Sequence, residues 1–507
     1  MFRNCLIAAL SVLITGCSST DGPVPPEENS GDYLRLSLVM SEASRAESHP
    51  DETALDAENG VSDITVFFFN GAAGVNSAAI TPFFKAIYVD KGFIRTANSI
   101  KVDVPIGEEY EFLDGDRIAV AVNMGDLSGF ASLGDLQQHI PAAAWQSLSQ
   151  GSPSGCSRFT MASAYDTDGA IYRQPDIDGK KRYTASASVE RTCARIDLGY
   201  DAAQEKAAYI EYSSTAKGNG IVENGRVHLY GLSPVNAMQQ PSYALKRVSN
   251  GLSDDYSCFD TWHYTGTLPK DGARPAAYVI EPHTAAKTAR AAVAADWYGG
   301  TAASTLSKSA WDSGLNIATL LRDDKIKFAA DGGRAVVVSY TNENTQHYSA
   351  HSEKWLTGLL LRAVFVPKTV YSDGSATTPA AYTAGQTFSR YRPTASSTSE
   401  DERVLYFASA DAARAYSAAH PADGAEITEY PQGRCFYHMW LRHTVEERDP
   451  AIVFPMEYGI VRNHVYRVRF NFHGAGTPTP DIEGPENAEA AIYVRPWNVF
   501  RHEQIIL

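Results

Sequence analysis

Residues 464–474 read HVYRVRFNFHG, and the run alternates from Tyr466 to Phe472. Tyr466, Val468, Phe470 and Phe472 point one way, while Arg467, Arg469 and Asn471 point the other. Successive side chains leave a β-strand on opposite faces, so a period of two is the mark of a strand with one face on a core and the other in water. YLRLSLVM (33–40) repeats the pattern, with Leu34, Leu36, Leu38 and Met40 on one face. ITVFFFN (64–70), SIKVDVP (99–105), RIAVAVNMG (117–125), GRVHLYGL (225–232), GLLLRAVFVPK (358–368) and CFYHMWLRH (435–443) are further strands between Gly, Asp and Pro turns. TASASVERTCARIDLGY (184–200) reads as one long strand. Helical spacing is confined to LGDLQQHIPAAAWQSL (133–148) and ADAARAYSAAH (410–420). Short strands with helices only in insertions predict an all-β chain of antiparallel β-sandwiches.

A chain of 507 residues is too long for one ordinary core, and two domains are expected. The boundary falls near residue 205, after the long strand. The Ser, Thr, Pro and Gly content of 372–400 predicts a large loop, and no repeat of fixed period is present. The formal net charge of −15, without a basic run, excludes nucleic acid as a partner.

The first residues, MFRNCLIAALSVLITGCSST, have one Arg and an apolar stretch too short for a mature membrane span, then a small-residue cleavage context. Ile14-Thr15-Gly16-Cys17 fits a bacterial lipobox, in which Cys17 is acylated and becomes the first residue. The polar stretch after it reads as a tether, so the product is an exported lipoprotein, and no further transmembrane candidate follows. Of six cysteines, Cys5 lies in the signal and Cys17 carries lipid. Cys156, Cys193, Cys258 and Cys435 are scattered without zinc spacing. They are open to three disulfide pairings or to burial as thiols.

Catalytic motifs fail against simpler readings. Ser214 and Lys217 match SxxK, but the chain has no KTG element. His347 and His351 stand four apart without the glutamate of HExxH, in a stretch that reads as loop. Asp166, Asp168, Asp176 and Asp178 resemble fragments of calcium loops, yet the distal glutamate is missing and Asp-Gly is the chemistry of a hairpin turn. No GxSxG, P-loop or dinucleotide fingerprint occurs. No enzyme, cofactor or metal site is expected.

The chain ends on PWNVFRHEQIIL (496–507), a β-prone run with aliphatic residues at its tip. An apolar edge like this needs a strand to cover it, in the same molecule or in another. Several stretches together give the answer. DYLRLSLVMSEASRAES (32–48) follows the lipobox, and SVERTCARIDL (188–198) is similar to a V-E-R-x-x-A-R/K strand. LLLRAVFVPKTVYSDGS (359–375), PAAYTAGQTF (379–388), GIVRNHVYRVRFNFHGAG (459–476) and AAIYVRPWNVFRHEQIIL (490–507) complete the set. In their order and placement they resemble the Bacteroidales fimbrillins, the type V pilins, and among these the Mfa-type minor-fimbrium shaft subunit. One departure is the short connection GTPTPDIEGPENAE (476–489), where the shaft subunit has a long acidic, Pro-rich insertion.

The resemblance implies two tandem transthyretin-like antiparallel β-sandwiches with short helical insertions. It implies a signal peptide (1–16), a lipidated propeptide with the first strand (17–45), an N-terminal sandwich (46–205), a C-terminal sandwich (206–495) and a donor strand (496–507). A trypsin-like protease is expected to cut between Arg45 and Ala46, removing the strand 33–40 with the lipid. The vacated groove is then filled by the tail of another copy, built of Val499, Phe500, Arg501, His502, Glu503, Gln504, Ile505, Ile506 and Leu507. The implied partners are identical subunits head to tail, accessory tip and anchor subunits, the maturation protease, and receptors on host or bacterial surfaces. The implied location is an outer-membrane lipoprotein precursor, then an extracellular fimbrium. The alternative is a membrane-anchored surface lipoprotein, a tip adhesin or glycan-binding module using some of the 27 Tyr and 7 Trp.

Overall fold

The computed structural model describes residues 31–40, 52–71, 81–96, 99–147, 153–164, 169–215, 224–249, 256–257, 278–284, 315–330, 333–347, 355–394, 404–421, 424–443, 456–480 and 488–498. Its main strands are, in chain order, β1 (Tyr33–Met40), β2 (Ile64–Asn70), β3 (Phe83–Val89), β4 (Ile100–Pro105), β5 (Asp116–Val122), β6 (Met161–Ser163) and β7 (Lys180–Arg191). They continue as β8 (Cys193–Tyr200), β9 (Gly225–Val235), β10 (Gly333–Asn342), β11 (Gly358–Pro367), β12 (Arg434–Trp440), β13 (His464–Phe472) and β14 (Ala488–Asn498). The fold is predominantly β, in several sheets with few short helices.

The first sheet runs β3-β2-β5-β6-β7-β1-β4, with Ile94–Arg95 beyond β4 and Tyr172–Ile177 paired to β7. The second runs from Glu52–Thr53 through β14, β13, β8 and β10 to Lys327–Ala330. The third joins Ile210–Ser213, β9, β11 and β12. Most neighbours are antiparallel, but β1 runs parallel to β7 and β8 runs parallel to β13. One apolar core takes Val66, Phe68 and Val120 of the first sheet and Ile196, Val337, Leu361 and Val468 of the other two. The opposite face of β2 and β5 is also covered. Phe67, Phe69 and Ala119 pack with Leu133 and Leu136 of the helix Leu133–Gln138 and with Leu245. That explains why ITVFFFN is a continuous apolar run and not an alternating one.

Several expectations are corrected. The helix expected over 133–148 stops at Gln138, because Pro141 has no N–H and disfavours helix in the residue before it. Its start is set by Ser132, which accepts the Asp135 N–H while the Asp135 carboxylate accepts the Ser132 N–H. The run 184–200 is not one strand: the sheet changes at Thr192, and β7 and β8 belong to different sheets. The loop expected over 372–400 contains Pro379–Ala380 and Phe388–Pro393, strands of a five-stranded sheet with Val370–Tyr371, Leu405–Phe407 and Ala425–Tyr430. Phe388 and Tyr391 are buried there and outweigh the turn-rich composition. On β13 the apolar face is buried as expected, but Arg467 on the face expected to be wet is buried too.

Candidate functional site: the first strand and the root of the last

Strand β1 is an interior strand of its sheet. Eight residues pair with β7, from Tyr33 opposite Arg182 to Met40 opposite Val189, and six pair with β4. Leu34, Leu36 and Leu38 lie level with Val104, Val102 and Ile100 on one side and with Tyr183, Ala185 and Ala187 on the other. All nine are buried. Each leucine contributes roughly 1.5–3 kcal/mol by leaving water. The outer face is wet and lightly held. Arg35 makes a forked pair to Asp103 at 2.8 and 2.9 Å, which raises the pKa of its guanidinium. Asp32, just before β1, accepts the Lys181 N–H at 2.9 Å.

The last strand is rooted differently. At Trp497 the chain meets the three-residue-per-turn helix Asp56–Asn59, strand β8 and strand β10. The Trp497 indole N–H donates to Glu58 Oε2 at 3.1 Å, and the ring stacks on Tyr340 at 5.8 Å. Arg191 lies over the same ring at 4.2 Å and donates to the Trp497 carbonyl at 3.1 Å. Glu58 also accepts from Leu55 N–H (2.6 Å), the Tyr340 hydroxyl (2.6 Å) and Arg195 Nη1 (2.9 Å). Arg195 forks onto Asp197 at 2.9 and 3.0 Å. Glu58, Arg191, Arg195, Asp197 and Trp497 are all 0% exposed. Burial opposes the charge on Arg195, yet Asp197 and Glu58 raise its pKa, whereas burial takes Arg191 down to about 10. Charges this deep persist only when paired and hydrogen-bonded.

A second buried group flanks the first. Lys246 meets Glu190 at 2.7 Å, and Arg462 meets Glu343, which also accepts the Ser242 hydroxyl, at 2.7 Å. Asn463, at φ 55°, accepts the Arg191 N–H and donates its own N–H to the Cys193 carbonyl. Two of the stretches that carried the resemblance, 188–198 and 459–476, therefore touch each other, and another of them, 490–507, reaches them at Trp497. Glu58, Tyr340, Lys246 and Glu343 were not singled out in the sequence. For Lys246 and Glu343 the available signal was a charged residue directly flanking a strand, before Arg247–Ser249 and after β10.

Cys17, Arg45, Ala46 and residues 499–507 lie outside the described residues, as do Lys217, His351 and Cys258. Ser214 bridges to Phe472 in the ladder, and His347 is buried. Asp178 and Gly179, at φ 52° and 73°, form the two-residue turn between Tyr172–Ile177 and β7. A type I′ hairpin requires positive φ at both positions, so the Asp-Gly pair is a turn. Cys156, Cys193 and Cys435 are buried thiols; burial pushes the Cys435 thiol up to about 11. Among the described residues no group of three or more His, Cys, Asp or Glu could hold a metal ion.

Residues 428–503 match the fimbrillin C-terminal family, described as "Major fimbrial subunit protein type IV, Fimbrillin, C-terminal". The matched residues take in β12, β13 and β14. No curated protein matches the chain. Among solved structures it is similar to a fimbrilin from Porphyromonas gingivalis W83, at 14% identity, 93% and 99% coverage of the two chains and a TM-score of 0.36. A putative cell adhesion protein from Parabacteroides distasonis ATCC 8503 is similar at 12% identity, 92% and 100% coverage and a TM-score of 0.40. The tip fimbrial protein Mfa3 from Porphyromonas gingivalis, with a C-terminal truncation, is similar at 8% identity, 92% and 99% coverage and a TM-score of 0.34.

Proposed function

We propose that the protein is a structural subunit of a cell-surface fimbria, exported as a lipoprotein through Cys17 and polymerising by exchange of strands between copies. It is a building element and not an enzyme. In this reading a trypsin-like protease cuts between Arg45 and Ala46, β1 leaves with the lipid, and the tail of the next copy takes its place. The observation that carries the reading is the position of β1 between β7 and β4. A strand removed from inside a sheet leaves two unpaired edges over an apolar slot, which is the receptor geometry of strand addition. The eight-residue length of β1 is close to that of residues 499–507. The fimbrillin match at 428–503 supports the same class. A contact between unlike surfaces that does not close on itself generates a filament.

The test is N-terminal sequencing of surface filaments, combined with deletion of residues 502–507. The expected sequence is Ala46-Glu47-Ser48, and the deleted form is expected to be exported, folded and unable to extend a filament. A lipidated Cys17 retained in surface material favours the anchored adhesin instead. A deletion that lowers the melting temperature yet leaves normal filaments removes the donor role.

A further inference from the structure

The stretch that follows the proposed cut stays with the protein when β1 leaves, and it grips the chain at the other end. Glu52–Thr53 pairs in parallel with Trp497–Asn498. The turn Asp56–Asn59 then carries Glu58 into the junction, where it collects donors from three separate strands of the second sheet: Arg195 of β8, Tyr340 of β10 and Trp497 of β14. A fourth donor, the Leu55 N–H, closes the turn on the same carboxylate. Asn59 adds its side-chain oxygen to Arg191 at 2.7 Å, and Arg191 Nε donates to the Glu58 carbonyl at 3.2 Å. The arrangement closes in one register only. A slip of β14 by two residues keeps every side chain on its own face, but carries the indole about 7 Å from the carboxylate. Apolar packing tolerates such a slip far better than a buried carboxylate that needs every donor.

We propose that Glu58 is a positioning residue for the C-terminal strand: through it residues 52–59 clasp Trp497 and fix the register and position at which β14 ends. The clasp lies wholly C-terminal to Arg45, so it is present before and after β1 is removed. Its consequence in a filament rests on the strand-exchange reading, because a pull on the tail would then be received at Trp497 and spread into β8, β10 and the 52–59 segment. The contact itself does not depend on that reading.

The experiment is hydrogen–deuterium exchange followed by mass spectrometry on the full chain, for wild type, Glu58→Ala, Glu58→Gln and Trp497→Phe. Exchange in the peptide covering 488–498 is expected to rise about tenfold in Glu58→Ala and Trp497→Phe. Glu58→Gln is expected to stay closer to wild type, since an amide oxygen still accepts the indole and Leu55 N–H groups. Peptides of β2 and β5 should be unchanged. Unchanged exchange over 488–498 overturns the proposal, as does an equal rise in every strand, which is loss of overall stability. If Glu58→Ala does not fold, Trp497→Phe decides alone, because it removes one N–H and keeps an aromatic ring against Tyr340. Electron microscopy of the same strains separates the two readings: absence of wild-type filaments refutes strand exchange, while the exchange data still judge the clasp.

Discussion

Strands β1 and β14 are both held in sheets, but by opposite chemistries. β1 is kept by three leucines against Val, Ile, Ala and Tyr, with one ion pair on its wet face. β14 is kept at Trp497 by a buried carboxylate and two buried guanidinium groups, each with named partners. Apolar burial has no preferred direction, so another strand with similar alternation can replace β1 at modest cost. The cluster around Glu58 recognises one set of atoms and no substitute. The strand exchange proposed above needs this division, with one strand replaceable and the other firmly seated.

The largest expected effect comes from breaking the charged side. Arg195→Ala leaves Glu58 and Asp197 buried without their common cation, which costs about 3–5 kcal/mol when a buried pair loses one partner. Denaturant unfolding should show that loss, or no folded protein at all. On the apolar side Leu36→Ala should cost about 2–4 kcal/mol in the intact precursor. After removal of residues 1–45 the same substitution is absent from the chain, so cleaved wild type and cleaved variant must unfold alike. A difference between them would mean that β1 remained bound.

The apolar half of this comparison was legible in the sequence, and the charged half was not. The alternation of YLRLSLVM gave the strand and its inward face, because a period of two has one meaning when one side is a core. The same rule misplaced Arg467, which alternates outward yet lies buried beside Asp197 at 3.7 Å and the Phe328 ring at 5.2 Å. Pattern reading assigns an arginine to water unless its partners are known, and these come from residues over a hundred positions away. The split at Thr192 was hidden for a related reason. β7 and β8 both read as strand, and only the pairing partners reveal that they belong to different sheets.

A smaller effect separates the regions by pH. The inward residues around β1 are Leu, Val, Ile, Ala and Tyr, with no histidine or carboxylate among them. His438 on β12 is different, because burial takes its pKa down to about 4. His464 on β13 is also held well below the usual range, by burial and then by His443. As pH falls through 6.5 the unfolded chain binds protons that the folded protein refuses, so stability drops until His438 titrates in the fold near pH 4. Glu190 pulls the other way, since burial raises its pKa and the folded protein takes up a proton first. The His438 share is isolated by comparing wild type with His438→Gln. Their stability difference should change by roughly 2–3 kcal/mol between pH 7.5 and 4.5. A constant difference refutes the assignment.

The smallest effect tests the wet face of β1. Arg35 is a basic residue inside the strand, and beside the proposed site at Arg45 it is the less accessible target for a trypsin-like protease, because the strand shields it. Its side chain is about half exposed and its pair with Asp103 is two-pronged, but exposed pairs of this kind contribute only about 0.2–1 kcal/mol. Arg35→Ala should therefore shift the melting temperature of the precursor only slightly. Exposure of the side chain does not expose the bond. Arg35 and Leu36 are paired to Thr184 and Ala185 on one side and to Asp103 and Val102 on the other, and a protease must bind its substrate as a free extended chain. Trypsin acting briefly on the folded precursor should leave the 35–36 bond intact in wild type, and Arg35→Ala should change neither the first cut nor its rate. An early fragment beginning at Leu36 would show that β1 leaves the sheet on its own, and the contrast between an exchangeable and a fixed strand would then need no protease to set it in motion.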